Sequence, residues 1–371
     1  IDGEIRQDPY ARKIVGREKW YDLSRKNPNE TLRCGFDVAA FSWKGDKLPK
    51  ISKAHMLIYK LHVRGFTMET KGANRGTFAA LQRKIPYLKE LGITSLELMP
   101  VYEFEEMIYP KEEKLPEYLK NKKTVKKGTL HGKEAEPKAR VNFWGYGIGN
   151  YFAPKASYAF SDKPSYELKK LIYTMHENGL ECILEMFFPK EVPSEEIIDV
   201  LHYWVLEYHV DGFHLQGEEL PVDVIVKDAL LKDTKILYAW FKEEIVVEEE
   251  NKNHLFFCND EFIYPVRRML CGREANLYEL ANQMRKQQKN AGYVNYICDN
   301  NGFSLADLFS YSEKHNIANG ENNKDGTDWN YSVNCGAEGR TRKGHILKLR
   351  KKIEKNALSV LYLSQGIPLL Y

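Results

Sequence analysis

The chain has no excess of either charge. Its 371 residues carry 55 Lys and Arg against 52 Asp and Glu, a formal net charge of +3. That balance excludes an electrostatic grip on nucleic acid or on an anionic membrane. Cysteine is scarce, and the six present contain no C-x-x-C pair, which argues against a zinc site. Cys182 and Cys298 lie within apolar runs and read as small core residues, so a reducing, cytoplasmic compartment is expected. No apolar run reaches the roughly 18 residues of a membrane span, and no signal peptide is visible. No serine sits in a Gly-x-Ser-x-Gly elbow, which removes a serine triad from consideration. What is plentiful is aromatic: 23 Tyr, 17 Phe and 6 Trp. Such a stock fills a large core and also suits a groove for flat, polyhydroxylated ligands.

Residues 1–51 carry turn signals, Asn27-Pro28-Asn29 and Lys44-Gly45-Asp46 among them, and read as a lead-in packed on a larger body. From residue 52 onward a βα rhythm sets in. Apolar runs at 57–63, 94–99, 181–188, 210–215, 235–239, 255–258, 293–298 and 367–371 predict eight strands. Apolar residues at helical spacing predict helices at 78–91, 165–178, 195–208, 222–231, 277–289 and 346–364. The strand segments are apolar throughout, as a parallel sheet covered by helices requires. An α/β protein is expected, a TIM (β/α)8 barrel over residues 52–371 that is truncated after its eighth strand. Long loops are expected at 102–150 and 302–345. The first is lysine-rich between Lys120 and Lys127 and reads as a solvated surface.

Several segments carry a family resemblance. They include Tyr59-Lys60-Leu61-His62-Val63-Arg64-Gly65-Phe66-Thr67, Leu96-Glu97-Leu98-Met99-Pro100-Val101, and Phe143-Trp144-Gly145-Tyr146 with Asn150-Tyr151-Phe152-Ala153-Pro154. The most specific stretch runs from Asn295 to Gly339, with Asp307-Leu308-Phe309-Ser310-Tyr311 and Asn334-Cys335-Gly336-Ala337-Glu338-Gly339. Together they resemble glycoside hydrolase family 13, the α-amylase type, and within it the glycogen debranching enzymes and isoamylases. The resemblance implies a β/α barrel, an α-glucan ligand, and no cofactor or metal.

It also implies a reaction centre, which this chain alters. Retaining glycosidic cleavage needs two carboxyl groups flanking the bond, one as nucleophile and one as proton donor. The family nucleophile closes the fourth strand in a Gly-Phe-Arg-Phe-Asp pattern. Here Gly212-Phe213-His214-Leu215-Gln216 puts His214 in the arginine slot and the amide Gln216 in the nucleophile slot. The family proton donor, a glutamate closing the fifth strand, is replaced by Ala239. After the seventh strand the usual Ser-His-Asp-Gly reads Asp299-Asn300-Asn301-Gly302, so Asn300 and Asn301 replace the histidine and the aspartate. On the third strand Glu185 stands where the family has an aspartate. An amide is a poor nucleophile and a methyl group gives no proton, so catalytic inactivity is expected.

Binding does not need those acids. The resemblance makes Tyr146 a platform against a sugar ring, with Trp144, Tyr59, Trp240 and Phe303 as additional rings, so weak α-glucan binding and association with an active relative are expected. Two alternatives stand beside this reading. One is an active α-1,6-glucosidase using relocated acids, drawn from Glu185, Glu218, Glu219, Glu243, Glu244 and Asp299. The other is an interaction module with no sugar site.

Overall fold

The computed structural model describes residues 8–25, 32–37, 40–108, 140–248, 254–319 and 321–371. The turn at 27–29, the lysine-rich run at 120–127 and Gly320 lie outside them. Eight parallel strands close into a barrel. In chain order they are Ile58–Leu61, Ser95–Leu98, Glu181–Phe188, Gly212–Gly217, Lys235–Tyr238, Leu255–Cys258, Gly292–Asn295 and Ile367–Leu370. Each pairs with its neighbours in sequence, and the eighth returns to the first through Leu369 opposite Ile58 and Leu370 opposite Tyr59.

The strands alternate between two apolar environments, which is why they are apolar throughout. Ile58, Ile183, Leu237, Phe256, Val294 and Ile367 pack together inside the barrel. Leu61, Leu96, Leu98, Leu184, Phe213 and Ile236 face outward. They meet Leu168, Leu171, Ile172 and Met175 of the helix Pro164–Glu177, and Val200, Leu201 and Trp204 of the helix Ser194–Tyr208. The first of these helices begins with proline and stops where Gly179 turns to φ +66°. There Leu180 N–H bonds Met175 O and Gly179 N–H bonds His176 O, which satisfies the last carbonyls.

The barrel interior is not wholly apolar. Near its floor Glu181 is held by Lys235, by Ser95 Oγ at 2.8 Å and by Ile51 N at 2.7 Å. Higher up, Lys60, Glu97, Glu185 and His214 form a second buried polar layer.

Several boundaries differ from the sequence expectation for identifiable reasons. The first strand stops at Leu61 because His62 caps a short helix, Val63–Thr67, by accepting from Gly65 N at 2.9 Å. The helix expected over 78–91 is two pieces, Phe78–Gln82 and Ile85–Glu90. Pro86 has no N–H to bond Gln82, and a turn from Lys84 N to Leu81 O fills the break. The helix expected to reach 231 ends at Lys227. Beyond it the Asp228 carboxylate accepts from Leu230 N and Leu231 N and favours a turn instead. The stretch expected as a loop over 102–150 contains strands in its described parts. Tyr102–Phe104 pairs with Gly149–Pro154, and Met107–Ile108 pairs with Arg140–Val141, both antiparallel.

The segment before the barrel forms a hairpin of Lys13–Val15 with Arg33–Gly35. It is fastened by a buried ion cluster. Lys155 Nζ lies 2.7 Å from both Glu103 and Glu106, while Arg17 pairs with Glu103 and Glu105 and Arg25 with Glu105 and Glu106.

Candidate functional site

The C-terminal ends of the strands open into a cavity of about 500 Å³. This is the face of a β/α barrel where loops of independent origin converge, and the volume lies within the usual range for small-ligand sites. One wall is aromatic. Trp144 and Tyr146, from the excursion after the second strand, line it with Phe187 at the end of the third. The rings of Tyr146 and Phe187 lie 5.2 Å apart. Tyr146 is also tied by its hydroxyl, which donates to Glu185 Oε1 at 2.9 Å and accepts from Asn300 Nδ2 at 2.9 Å. Burial, and then the Glu185 charge, raise the phenol well above its ordinary value, so it stays a neutral donor.

The fourth strand supplies the centre. Gln216 faces the cavity and its amide nitrogen lies 2.8 Å from His214 Nε2. The strand turns directly after it at Gly217, whose φ is +135°. A Cβ there would fall 1.9 Å from the carbonyl oxygen of Phe188. Only glycine lets the third and fourth strands approach this closely, and the approach fixes where the Gln216 side chain emerges.

Beneath the amide lies the charged layer. Lys60 Nζ sits 2.6 Å from Glu185 Oε1 and 3.3 Å from Glu97 Oε1, while His214 Nδ1 lies 2.7 Å from Glu97 Oε1. Burial opposes ionisation of Glu97, but the His214 and Lys60 charges overcome it and hold its carboxyl down at about 2. Burial likewise disfavours imidazolium, and Cys258 and Glu97 beside it raise His214 well above its usual range. The ligand atoms of Glu97, Glu185 and His214 fall within 4.8 Å of one another, as a metal site would require. The Lys60 ammonium already lies between the two carboxylates, so the cluster carries its own cation.

The structure brings together some of the residues singled out in the sequence and not others. Trp144, Tyr146, His214, Gln216, Asn300 and Asn301 all line the cavity, and Glu185 lies beneath Tyr146. Ala239 follows the fifth strand as an exposed residue and is absent from the cavity wall. Trp240 is 63% exposed and also lies off it. Phe303 lines a separate surface depression with Asp328, Trp329 and Tyr331. Tyr59 points the other way: Lys60 takes the inward position of the first strand, so Tyr59 packs outward against Phe66, with ring centroids 5.7 Å apart. These four of the expected platform and reaction-centre residues stand off the cavity that gathers the others.

Among the relocated acids, Glu218, Glu219, Glu243 and Glu244 are exposed and line none of the cavity; Glu219 pairs with Lys190 at 2.6 Å. The carboxyls lining the cavity, among the described residues, are Asp260, Asp299 and Asp325. Asp260 accepts from the Tyr296 hydroxyl, and Asp325 accepts from Asn316 and Asn319 at 3.1 Å each. Asp299 accepts from Asn301 N at 3.2 Å, and burial raises its carboxyl above the usual range. The sequence reading missed Asp260, Tyr296, Phe187 and Asp325 as wall residues. Asp260 stands two residues past the end of the sixth strand, and that position was the available signal.

No family model matches the chain. Over 98% of its length it is 28% identical to isoamylase 3, chloroplastic, of Oryza sativa subsp. japonica and 29% identical to isoamylase 1, chloroplastic, of Arabidopsis thaliana. These alignments cover 54% and 56% of those proteins. It is 27% identical to a glycogen operon protein GlgX homolog of Mycobacterium tuberculosis, covering 60% of it. The chain thus spans little more than half the length of these curated relatives. Its homologues are isoamylases and glycogen operon proteins. Among solved structures, 98% of the chain superposes on pullulanase type I from Bacillus subtilis in complex with maltose. There the TM-score is 0.62 with 20% identity over 54% of that chain. The product complex of the glycogen-degrading pneumococcal virulence factor SpuA gives a TM-score of 0.66 with 17% identity over 41% of that chain. These likenesses confirm the barrel.

Proposed function

We propose that this homologue of isoamylases and glycogen debranching proteins binds an α-glucan weakly at the barrel mouth and does not cleave it. The observation that carries the reading is Gln216. It emerges into the cavity at the end of the fourth strand, where the resemblance calls for the nucleophilic carboxylate, and it offers an amide. An uncharged amide neither attacks an anomeric carbon nor stabilises an oxocarbenium-like centre. The proton-donor position, Ala239, carries no acid and stands off the cavity. The wall that remains, Trp144, Tyr146 and Phe187, supplies apolar faces for a sugar ring, and Asn300, Asn301 and Gln216 supply hydrogen-bonding groups for its hydroxyls.

None of the six cysteines is in a disulfide, which supports a reducing, cytoplasmic setting. No helix among the described residues is long and apolar enough to cross a membrane. Association with an active relative gives such a barrel a use as a glucan-holding partner.

The test combines two measurements on purified protein. Incubation with amylopectin should release no reducing ends, and electrophoresis through glycogen-containing gels should retard the chain. Reducing ends that disappear in Asp299→Asn would show an active glucosidase with relocated acids. Unretarded migration would leave an interaction module with no sugar site.

A further inference from the structure

The imidazole of His214 has a partner that glucan binding does not use. Its Nε2 lies 3.3 Å from Cys258 Sγ, and its Nδ1 lies 2.7 Å from Glu97 Oε1. The three side chains come from the sixth, fourth and second strands and meet across the barrel interior. Cys258 is 7% exposed, and His214, Asp260 and Tyr296 around it line the cavity.

We propose that Cys258, His214 and Glu97 form a nucleophilic thiol site just behind the cavity wall at His214, and that it takes a small, soft electrophile. The arrangement supplies a nucleophile, a base within hydrogen-bond reach and a third group that orients the base. His214 takes the thiol proton on Nε2, and the Glu97 carboxylate stabilises the imidazolium through Nδ1. A thiolate beside an imidazolium is the reactive form of cysteine. Gln216 also faces the pair, with its amide nitrogen 2.8 Å from the same Nε2. Lys60 pairs with both Glu185 and Glu97, and the Tyr296 hydroxyl donates to Asp260 rather than to sulfur. In the covalent step a sulfur lone pair attacks the electrophilic carbon and a C–S bond forms. The leaving group departs with its bonding electrons, and the proton remains on His214.

The other cysteines set the contrast. Burial pushes the thiols of Cys271 and Cys298 up to about 12 and about 11, and raises Cys182 and Cys335 as well. Those groups stay protonated at neutral pH. Cys34 is exposed and would react as an ordinary thiol.

The test uses the full chain carrying Cys34→Ser, treated with iodoacetamide and followed by peptide mass mapping. One adduct is expected, at Cys258, with iodide as leaving group and a rate nearly flat between pH 6 and 8. In His214→Gln the rate at pH 6 should fall at least about tenfold, because the thiol loses the imidazole that takes its proton. Glu97→Gln should lower it less. Alkylation that rises about tenfold per pH unit from 6 to 8 in the parent protein overturns the proposal, whatever the variants do. A rate indifferent to His214 overturns it too. So does a Cys258 that is labelled only after unfolding in urea.

Discussion

Lys60→Met removes the single cation between two buried carboxylates. Lys60 is 5% exposed, and Glu97 and Glu185 are fully buried. At 2.6 Å and 3.3 Å, and an effective dielectric of about 20, the two attractions have gross values of ~6 and ~5 kcal/mol. Desolvation offsets most of that while the cluster is intact. Once the ammonium is gone the offset remains and the attraction does not. Breaking a buried pair from one side costs about 3–5 kcal/mol, and that is the loss expected at pH 7. The second oxygens of Glu97 and Glu185 have no hydrogen-bond partner among the described residues; Glu97 keeps His214 beside its first oxygen, whereas Glu185 is left with no charged partner. Burial lowers the Lys60 amine, but Glu185 and Glu97 raise it well above its ordinary value, so its contribution is fully present at neutral pH. Without Lys60, Glu185 keeps only the Tyr146 hydroxyl. Urea unfolding followed by tryptophan fluorescence reads the effect as a lower midpoint with an unchanged slope. Lys60→Met/Glu185→Gln should recover part of the loss. A deficit below about 1 kcal/mol would refute the reasoning.

Three more predictions follow from the same geometry. Gln216→Asp/Ala239→Glu should release reducing ends from amylopectin at a rate still at least about 10⁴-fold below a competent family member, because residue 239 stands off the cavity; robust turnover would contradict this. Burial holds His62 down at about 4, and its Nδ1 must stay unprotonated to accept from Gly65 N. The unfolded chain therefore binds a proton near 6.5 that the folded chain refuses, and stability should fall by about 3 kcal/mol as pH drops from 6.5 to 4; that slope in the urea midpoint should vanish in His62→Gln. Gly217→Ala should cost more than about 1 kcal/mol, because its Cβ would meet the Phe188 carbonyl in a backbone conformation that alanine resists; thermal melts will show it.

The barrel strands were legible because each is covered on both faces, leaving runs such as Cys182-Ile183-Leu184 and Ile236-Leu237 with no polar interruption. Gln216, His214 and the asparagines after the seventh strand were legible because a strand's end marks the face where a cavity forms. Tyr59 was not, because which of two adjacent residues points inward depends on the partner across the barrel. Here Lys60 reaches Glu97 and Glu185, and that contact sets the parity. Trp240 and Phe303 lie on loops whose direction is fixed by backbone turns that local composition does not specify. The helix Ile263–Leu270 went unread because Arg267 interrupts its apolar face. That guanidinium is buried and donates to Ile297 O at 2.7 Å.

The ladder that joins the first strand to the eighth has a kinetic meaning. Leu369 and Leu370 must find Ile58 and Tyr59 across more than three hundred residues of sequence. A contact of that separation forms late, since the loop-closure entropy is met before the contact rewards it. Until the eighth strand has left the ribosome, the first strand is a sheet edge with unpaired backbone groups, open to any other extended segment. Folding of this chain is therefore most exposed to misassembly at its oldest strand rather than at its newest.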